Sequence, residues 1–331
     1  VGPSPQGRAN DIAEPFCREA CPVATMSGVA TPFRLKFTVG PRVLLSIPIK
    51  ATTHNAFGRG GIAHVREVIA QPGPGRTEAQ VFRSVEAAPA DVFSVEEPSS
   101  LLYVLQSYMR YRTDLRGDFE DLLEGLSSRT RSTLRRKVRK FERANDGQVD
   151  WRCYQDFESI KEFFSLASPL VEKTYQATRL DGALPTTKEF ESRALGLASQ
   201  GLVRAYLLFL HDKPIAYLYA PVSGDSLIYA YLGYDPACRS LSPGTVLQYH
   251  VHRALFAEKP CRYFDFTEGE GDHKKLFANQ CHECIDLLCV PRSLRWRCTL
   301  AMHRTWNSFV VGSRSVVERS GFLPFLRRKL R

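Results

Sequence analysis

The stretch Ser226–Ala278 constrains the fold of this chain more than any other part of it. Short apolar and aromatic runs alternate there with segments of helical periodicity. SLIYAYLGY at 226–234 predicts one strand, and CRYFDFTEG at 261–269 predicts a second. TVLQYHVHRALFAEK at 245–259 has its apolar residues at helical spacing, so it predicts a helix between the two strands.

The junction between the first strand and this helix carries the residue types of an anion site. Ser242 is a common N-cap residue, and Pro243 suits the first helical turn. A helix start presents free backbone N–H groups and the positive end of the helix dipole. Arg239 supplies a guanidinium, and Gly244 lets a ligand approach the backbone closely. The pattern predicts a pyrophosphate cradle, with an ordinary helix start as the alternative.

The order of these segments resembles the C-terminal half of the CelD-type acetyltransferases. That family belongs to the GNAT superfamily and is close in fold to the Fem-type peptidyltransferases. The motifs that carry the resemblance are LGYDP at 232–236, SPG at 242–244 and FDFTEGEGDHKKLF at 264–277. The chain departs from the family at His273, where tyrosine is usual, and at Thr267–Glu268, where glycine comes earlier. The resemblance covers about residues 105–290.

The resemblance implies an α+β chain with the GNAT acyl-CoA N-acyltransferase fold, built as two GNAT-like halves of which the second is intact and the first degenerate. Three predicted strands of the second half, at 202–210, 214–222 and 226–234, form an antiparallel meander. The predicted organisation is a flexible lead at 1–31, the degenerate half at 32–117, basic connecting helices at 118–147, the catalytic domain at 148–292 and a basic helical tail at 293–331.

By the resemblance, the co-substrate is acetyl-CoA or another acyl-CoA, with its diphosphate at the cradle. In the GNAT fold the strand before this helix splays from its neighbour and leaves a backbone N–H free for the thioester carbonyl. Leu232 and Gly233 stand at that level, with an ordinary strand end as the alternative. The residues predicted to bind the co-substrate are Leu232, Gly233, Arg239, Ser242, Pro243, Gly244 and Thr245.

The predicted catalytic residues come from the same stretch. Asp265 lies within the apolar run FDF, where an unpaired carboxylate is costly to bury, so we expect it to act as a base or to orient Lys274. Lys274 matches the lysine of the family motif, which implies contact with an anionic substrate. Glu268 is the second candidate base. Tyr231 either protonates the leaving thiolate or packs, and the period of two places it on the same face as Tyr229.

No metal is expected. The CHEC motif at 281–284 suggests zinc, but one C-x-x-C motif is not a zinc site, and the spacings to Cys289 and Cys298 match no known pattern. Nine irregularly spaced cysteines favour reduced thiols over a disulfide framework. The visible N-terminus has no signal-peptide pattern, and no apolar run approaches the length of a membrane span, so we expect a cytoplasmic protein.

The net charge of +10 favours anionic partners such as a CoA thioester, a tRNA, a nucleotide sugar or an acidic membrane. The predicted helix within 118–146 has an apolar stripe of Leu134, Val138 and Phe141. The arginines and lysines around that stripe form either a solvated face or a contact with a polyanion. The aromatic and basic tail after Arg292 is interpreted as a capping helix, with a partner site or a membrane-surface segment as alternatives.

The leading hypothesis is an acyl-CoA-dependent acyltransferase, in which an amine or hydroxyl acceptor attacks the thioester directly. The acceptor is a small molecule, a saccharide or a peptide. A Fem-type aminoacyl-tRNA-dependent transferase is the first alternative. The second is a non-catalytic GNAT-like module that contacts a partner or an acidic surface through 129–143 or the C-terminal tail.

Overall fold

A computed structural model describes residues 30–40, 42–71, 79–93, 99–178, 183–269 and 271–319 of the chain. Of the predicted lead at 1–31, all but the last two residues lie outside the described residues. The end of the predicted tail, 320–331, lies outside them too.

The strands of the described residues belong to one extended sheet. They are β1 (Ala30–Val39), β2 (Arg42–Asn55), β3 (Ala79–Glu86), β4 (Ser100–Asp114), β5 (Asp150–Tyr154), β6 (Val203–Leu210), β7 (Lys213–Ser223), β8 (Ser226–Ile228), β9 (Tyr231–Tyr234), β10 (Tyr263–Glu268) and β11 (Gln280–Pro291).

Helices connect the strands and cover the sheet. They are α1 (Gly61–Ala70), α2 (Pro89–Phe93), α3 (Phe119–Glu124), α4 (Ser128–Ala144), α5 (Phe157–Thr178), α6 (Lys188–Ala198), α7 (Pro243–Glu258), α8 (Asp272–Phe277) and α9 (Leu294–Arg319), with a short 3₁₀ helix at Pro236–Leu241 before α7. No described helix combines the length and the apolar character that crossing a bilayer requires.

The strand order runs β1-β2-β3-β11-β4-β10-β8-β7-β6-β5, and β9 pairs with β7. The predicted meander is confirmed, because β6, β7 and the β8–β9 segment pair antiparallel in succession. β11 lies between β3 and β4 and is antiparallel to both. The predicted domain limits assign this strand to the second half, although its two neighbours belong to the first. One sheet therefore runs through both predicted halves.

Two apolar clusters hold the second half together, one on each face of β6 and β7. The first contains Leu208 and Leu218 of the strands with residues of α3, α4 and α7. The second contains Leu207 and Tyr217 with residues of α5 and α6. The predicted stripe of α4 is confirmed, since Leu134, Val138 and Phe141 are its buried residues. Burial of this stripe turns the arginines of α4 outward.

The helix that follows β11 packs against the other end of the sheet. Trp296 and Leu300 of α9 share an apolar cluster with residues of β1, β2, β3 and β4. His303 Nδ1 of this helix and the Tyr103 hydroxyl are joined by a hydrogen bond of 2.7 Å. α9 therefore covers strands of the predicted first half, as a capping helix does.

Candidate active site

Two neighbouring strands of the second half pair at one end and separate at the other. β8 and β10 run parallel from Ser226 opposite Tyr263 to Ile228 opposite Asp265. The Tyr229 amide then donates to the Asp265 carbonyl at 2.8 Å. Beyond that bond β9 pairs with β7, whereas β10 pairs with β4. The sheet is thus open between β9 and β10, and we call this opening the strand split.

A break in the strand produces the split. The prediction of one strand over 226–234 is wrong, because regular pairing stops at Ile228 and resumes at Tyr231. Tyr229 packs in the cluster under α7, whereas Ala230 and Tyr231 both pack in the cluster under α5 and α6. The prediction that Tyr229 and Tyr231 share a face is therefore wrong. An irregularity of one residue shifts the alternation, as a β-bulge does.

The start of α7 lies at the mouth of the split. A Cβ added to Gly244 would lie 3.2 Å from Leu232 Cδ2 and 3.7 Å from Tyr234 Cδ1, so the helix backbone packs closely on β9. Gly233 is equally confined, since a Cβ there would lie 2.4 Å from the Tyr217 hydroxyl. At both positions a larger side chain would press on a neighbouring side chain.

The predicted N-cap at Ser242 takes a different form from the one expected. Ser242 has a left-handed backbone with φ of 54°, and its side chain makes no capping hydrogen bond. Its carbonyl instead accepts the amides of Thr245 and Val246 at 3.0 and 3.1 Å. Pro243 has no N–H, so the Gly244 amide is the first-turn donor that finds no acceptor among the described residues. An unpaired N–H at a helix start favours an anionic ligand.

Positive side chains stand beside this helix start. Arg239 lies exposed in the 3₁₀ helix that precedes α7. Lys140 of α4 donates to the Ser240 carbonyl at 2.8 Å and thereby brings the basic helix against the loop. Arg136 and Arg143 lie one turn on either side of Lys140 and are exposed. The mouth of the split therefore carries a positive field.

One face of α7 spans the split. Gly244 contacts β9, whereas His252, two turns later, packs its ring 4.7 Å from that of Phe264 and 5.6 Å from that of Phe266 in β10. Gln248 lies between them on the same face. The row Gly244–Gln248–His252 consequently crosses from one diverging strand to the other.

Two polar atoms of this row are buried without a partner among the described residues. The Gln248 amide donates to the Gly244 carbonyl at 3.3 Å, which leaves its Oε1 unpaired. His252 Nδ1 bonds the Gln248 carbonyl at 2.8 Å, which leaves its Nε2 unpaired. Since Nδ1 faces a carbonyl, it carries the proton and Nε2 is an acceptor. Two unpaired acceptors inside a protein are costly, so they indicate a ligand with N–H groups.

The buried histidine gives a pH-dependent stability. Burial lowers the pKa of His252 from 6.5 to about 4. In the unfolded chain the imidazole of His252 takes up a proton below about pH 6.5, whereas in the folded protein it does so only near pH 4. The free energy of unfolding therefore falls as the pH falls from 6.5 to 4. Between pH 6.5 and pH 4 we expect the free energy of unfolding of the parent protein to fall by about 3 kcal/mol more than that of His252→Phe. Urea unfolding of both proteins across this range measures the difference, and parallel pH profiles would contradict it.

Asp265 lies at the branch point of the split, in an ion pair. Arg110 of β4 donates through Nε to both carboxylate oxygens at 3.1 Å and through a terminal nitrogen to Oδ2 at 2.6 Å. The carboxylate also accepts the Thr267 amide at 2.8 Å. Lys274, which we expected Asp265 to orient, donates to the carbonyl of Glu268. Asp265 therefore holds the end of β10 in place and is saturated with donors.

The ion pair belongs to a buried network that sequence reasoning missed. Arg110 also donates to Ser84, whose hydroxyl lies 2.7 Å from the Tyr108 hydroxyl. Tyr108 donates to Asp286 at 2.9 Å. Burial raises the pKa of Tyr108, and the Asp286 carboxylate raises it further. The network joins β3, β4, β10 and β11. Asp286 sits in the apolar run CIDLLCV, which is the same signal that singled out Asp265.

The other predicted catalytic residues flank the split. Glu268 is exposed at the end of β10, 3.5 Å from the Gln106 amide nitrogen. Tyr231 is buried and packs against Phe190 of α6 at 5.7 Å and Tyr219 at 6.3 Å. Of His273 only the backbone is described. The structure thus places Glu268 and Lys274 at one strand end and Tyr231 on the neighbouring strand.

A surface cleft of about 510 Å³ lies elsewhere on the second half. Its lining includes Val203, Val222, Asp225 and Arg262, which adjoin the C-terminal end of α7. The 16 residues of α7 separate the two ends of the helix by roughly 24 Å. The cleft is therefore distinct from the strand split.

The cysteines of the CHEC motif belong to β11. Cys281 is exposed and Cys284 is buried, as an odd spacing in a strand requires. Burial raises the pKa of Cys284 to about 12. The described residues contain no group of three or more His, Cys, Asp or Glu side chains that could hold a metal ion.

Comparison with known proteins agrees with this geometry. A family model described as an acetyltransferase (GNAT) domain matches residues 128–275, which include α4, the strand split and Lys274. No curated protein matches the chain significantly. The match establishes a GNAT acetyltransferase domain in this chain, and the assignment to the CelD-type family stays a prediction.

Solved structures resemble this chain at low sequence identity. The crystal structure of FemX has a TM-score of 0.50 and 12% sequence identity, and the match covers 78% of this chain and 88% of that chain. L-PGS from Bacillus licheniformis has a TM-score of 0.46 and 12% identity, with coverage of 78% and 85%. At 12% identity the likeness to FemX concerns the fold alone.

Proposed function

We propose that the protein is an acyltransferase that takes an acyl group from an acyl-CoA, acetyl-CoA being the simplest, and transfers it to an amine or a hydroxyl group. The observation that carries this proposal is the strand split with the start of α7 at its mouth. A split of this kind offers a slot for a long, thin donor. The helix start offers a site for its phosphates.

The donor site combines cationic, amide and acceptor groups in the order that acyl-CoA requires. The Gly244 amide, Arg239 and Lys140 would bind the diphosphate at the mouth. Gln248 Oε1 and His252 Nε2 would accept hydrogen bonds from the two amide N–H groups of the pantetheine arm. Binding of the pantetheine arm would thus give hydrogen-bond donors to Gln248 Oε1 and His252 Nε2, which find none elsewhere in the described part of the chain. The predicted residues Leu232, Gly233, Ser242, Pro243 and Thr245 would shape the slot.

The reaction is a direct displacement at the thioester carbonyl. The acceptor nitrogen or oxygen bonds to the carbonyl carbon, the carbon–sulfur bond breaks, and the acceptor proton leaves to a base while the CoA thiolate takes a proton. We assign the base to Glu268, because it is exposed and little occupied. Asp265 is a positioning residue, since Arg110 and the Thr267 amide already occupy its oxygens. Lys274 would stabilise negative charge near the same strand end.

The acceptor would enter from the face that carries Tyr231. The aromatic side chains of Tyr219, Tyr231 and Phe190 meet there. Tyr219 and Tyr231 are buried in that cluster, so the aromatic group does not select among the predicted acceptor classes. A small molecule, a saccharide and a peptide are therefore the acceptor classes to assay first.

A second candidate donor is an aminoacyl-tRNA. The observation that favours it is the basic face of α4, which adjoins the loop before α7 through Lys140. A phosphate backbone along this face would bind with a steep dependence on salt. The unpaired acceptors Gln248 Oε1 and His252 Nε2 favour the CoA donor, because a pantetheine arm supplies the amide N–H groups that they lack.

Ligand-dependent stability tests the proposal. A ligand that binds only the folded state at 100 times its dissociation constant raises the free energy of unfolding by about 2.7 kcal/mol. We expect acetyl-CoA to raise the urea midpoint of the protein, and free adenosine, which lacks the diphosphate and the pantetheine arm, to leave it unchanged. An unchanged midpoint in millimolar acetyl-CoA would refute the CoA donor. Stabilisation by aminoacyl-tRNA that RNase abolishes would then favour the second candidate.

A further inference from the structure

Exposed apolar side chains concentrate at one end of the molecule, away from the strand split. Eight large hydrophobic residues are exposed among the described residues, and seven of them belong to the β1–β2 hairpin or to α9. Val39, Val43, Leu44 and Leu45 flank the hairpin turn, where Leu44 is 60% exposed. Phe309 of α9 is 68% exposed. Contiguous apolar surface of this kind marks a contact site.

The hairpin and α9 form one surface. The Trp306 indole donates to the Thr38 carbonyl at 3.1 Å, and its ring lies 6.4 Å from that of Phe37. Phe309 follows one turn later, with its ring 6.4 Å from that of Trp306. We call Val39, Val43, Leu44, Leu45, Trp306 and Phe309 the hairpin patch. It is anchored by the buried ring of Phe37 and is therefore fixed in shape.

A β-bulge creates the patch. Phe37 pairs with Leu45 and Thr38 pairs with Val43, so Leu44 has no opposite residue in β1. In a regular strand successive side chains point to opposite faces, and one of the three residues 43–45 would face the sheet interior. The bulge breaks that alternation, and all three side chains are exposed. Three consecutive exposed apolar side chains form a surface that is expected to contact a partner.

The elements that carry the patch are strongly basic. Residues 30–55 contain four basic and no acidic side chains, and residues 294–331 contain nine basic side chains and one acidic. Arg34, Arg42, Lys50 and Arg304 are exposed on the elements that form it. The sequence that follows α9, 320–331, contains two phenylalanines, three leucines and four basic residues. The apolar side chains thus share their elements with exposed cations, which we call the cationic rim.

We propose that the hairpin patch docks this protein on the surface of an anionic lipid bilayer. The apolar side chains enter the boundary between headgroups and acyl chains, the Trp306 ring lies at the interface, and the arginines bind anionic headgroups. A second copy of the chain fits the patch poorly, because face-to-face pairing would bring two cationic rims together. The segment 320–331 fits poorly for the same reason, since it would add four cations to the rim.

Sedimentation with vesicles tests the docking. We expect full-length protein to sediment with vesicles of phosphatidylcholine and phosphatidylglycerol in a 3:1 ratio, and at least tenfold less with phosphatidylcholine alone. Leu44→Ser with Phe309→Ser removes two exposed side chains and keeps the fold, so it should lower the sedimented fraction at least tenfold. Phe157→Ser, at an exposed residue of α5, is the matched control and should sediment like the parent. Binding should weaken as salt rises.

Several results would overturn the proposal. Equal sedimentation of parent and double variant would show that the patch is not the contact. Sedimentation velocity that finds a dimer of the parent and a monomer of the double variant would assign the patch to self-association. Vesicle binding that appears only after deletion of 320–331 would make that segment the cover of the patch.

Discussion

Arg110→Met is expected to destabilise the protein by about 3–5 kcal/mol, because it leaves Asp265 charged, buried and without its ion-pair partner. The Arg110 and Asp265 side chains are only 10% and 2% exposed, so water cannot replace the lost donors. The same change leaves the Ser84 hydroxyl without the guanidinium that it contacts. Urea unfolding at neutral pH measures the loss.

Two further variants distinguish the effect of the buried Arg110–Asp265 pair from that of an exposed ion pair. Arg135→Met breaks a contact of 3.7 Å with Glu120 between exposed side chains, and it should cost less than about 1 kcal/mol. Asp265→Leu combined with Arg110→Met removes both charges and should recover part of the loss, since no unpaired charge remains. If Arg110→Met alone were as stable as the parent, the ion pair between Arg110 and Asp265 would not stabilise the packing of β4 on β10.

Gly244→Val is expected to lower the affinity for acetyl-CoA at least tenfold and, because it overpacks a buried position, to cost about 1–3 kcal/mol of stability. The added Cβ would already lie 3.2 Å from Leu232 Cδ2, so the larger side chain presses α7 and β9 apart. It also covers the amide that we assign to the diphosphate. Calorimetric titration with acetyl-CoA measures the affinity of parent and variant.

A matched glycine controls for the loss of a helical glycine as such. Gly196 lies in α6, where an added Cβ meets no atom within 4 Å. Gly196→Val should therefore bind acetyl-CoA like the parent. If Gly244→Val bound acetyl-CoA as tightly as the parent, the donor would not bind at the start of α7.

Local patterns in the sequence account for most of the second half. The apolar stripe of α4 and the continuous apolar runs of β6 and β7 are strong signals, and the structure follows them. α7 begins at Pro243, as predicted from the preference of proline for the first helical turn. Asp265 is buried in an apolar strand and paired, as the cost of an unpaired carboxylate there requires, and its predicted catalytic role stays a prediction.

Other features depend on contacts that no local pattern reveals. The partner of Asp265 is Arg110, 155 residues earlier, on a strand that becomes its neighbour only in the folded sheet. The break at Tyr229–Ala230 interrupts what looks like nine continuous strand residues, because pairing with β10 ends at Ile228 and only the pairing with β7 resumes at Tyr231. The unpaired atoms of Gln248 and His252 appear only once β9 and β10 separate beneath α7.

The most direct test of the donor site is a crystal structure of the protein with CoA bound. The account predicts the diphosphate at the Gly244 amide beside Arg239, and the pantetheine arm between β9 and β10 with its amides on Gln248 and His252. CoA found in the cleft between Val203 and Arg262, or a start of α7 that carries no phosphate at saturating CoA, would contradict it.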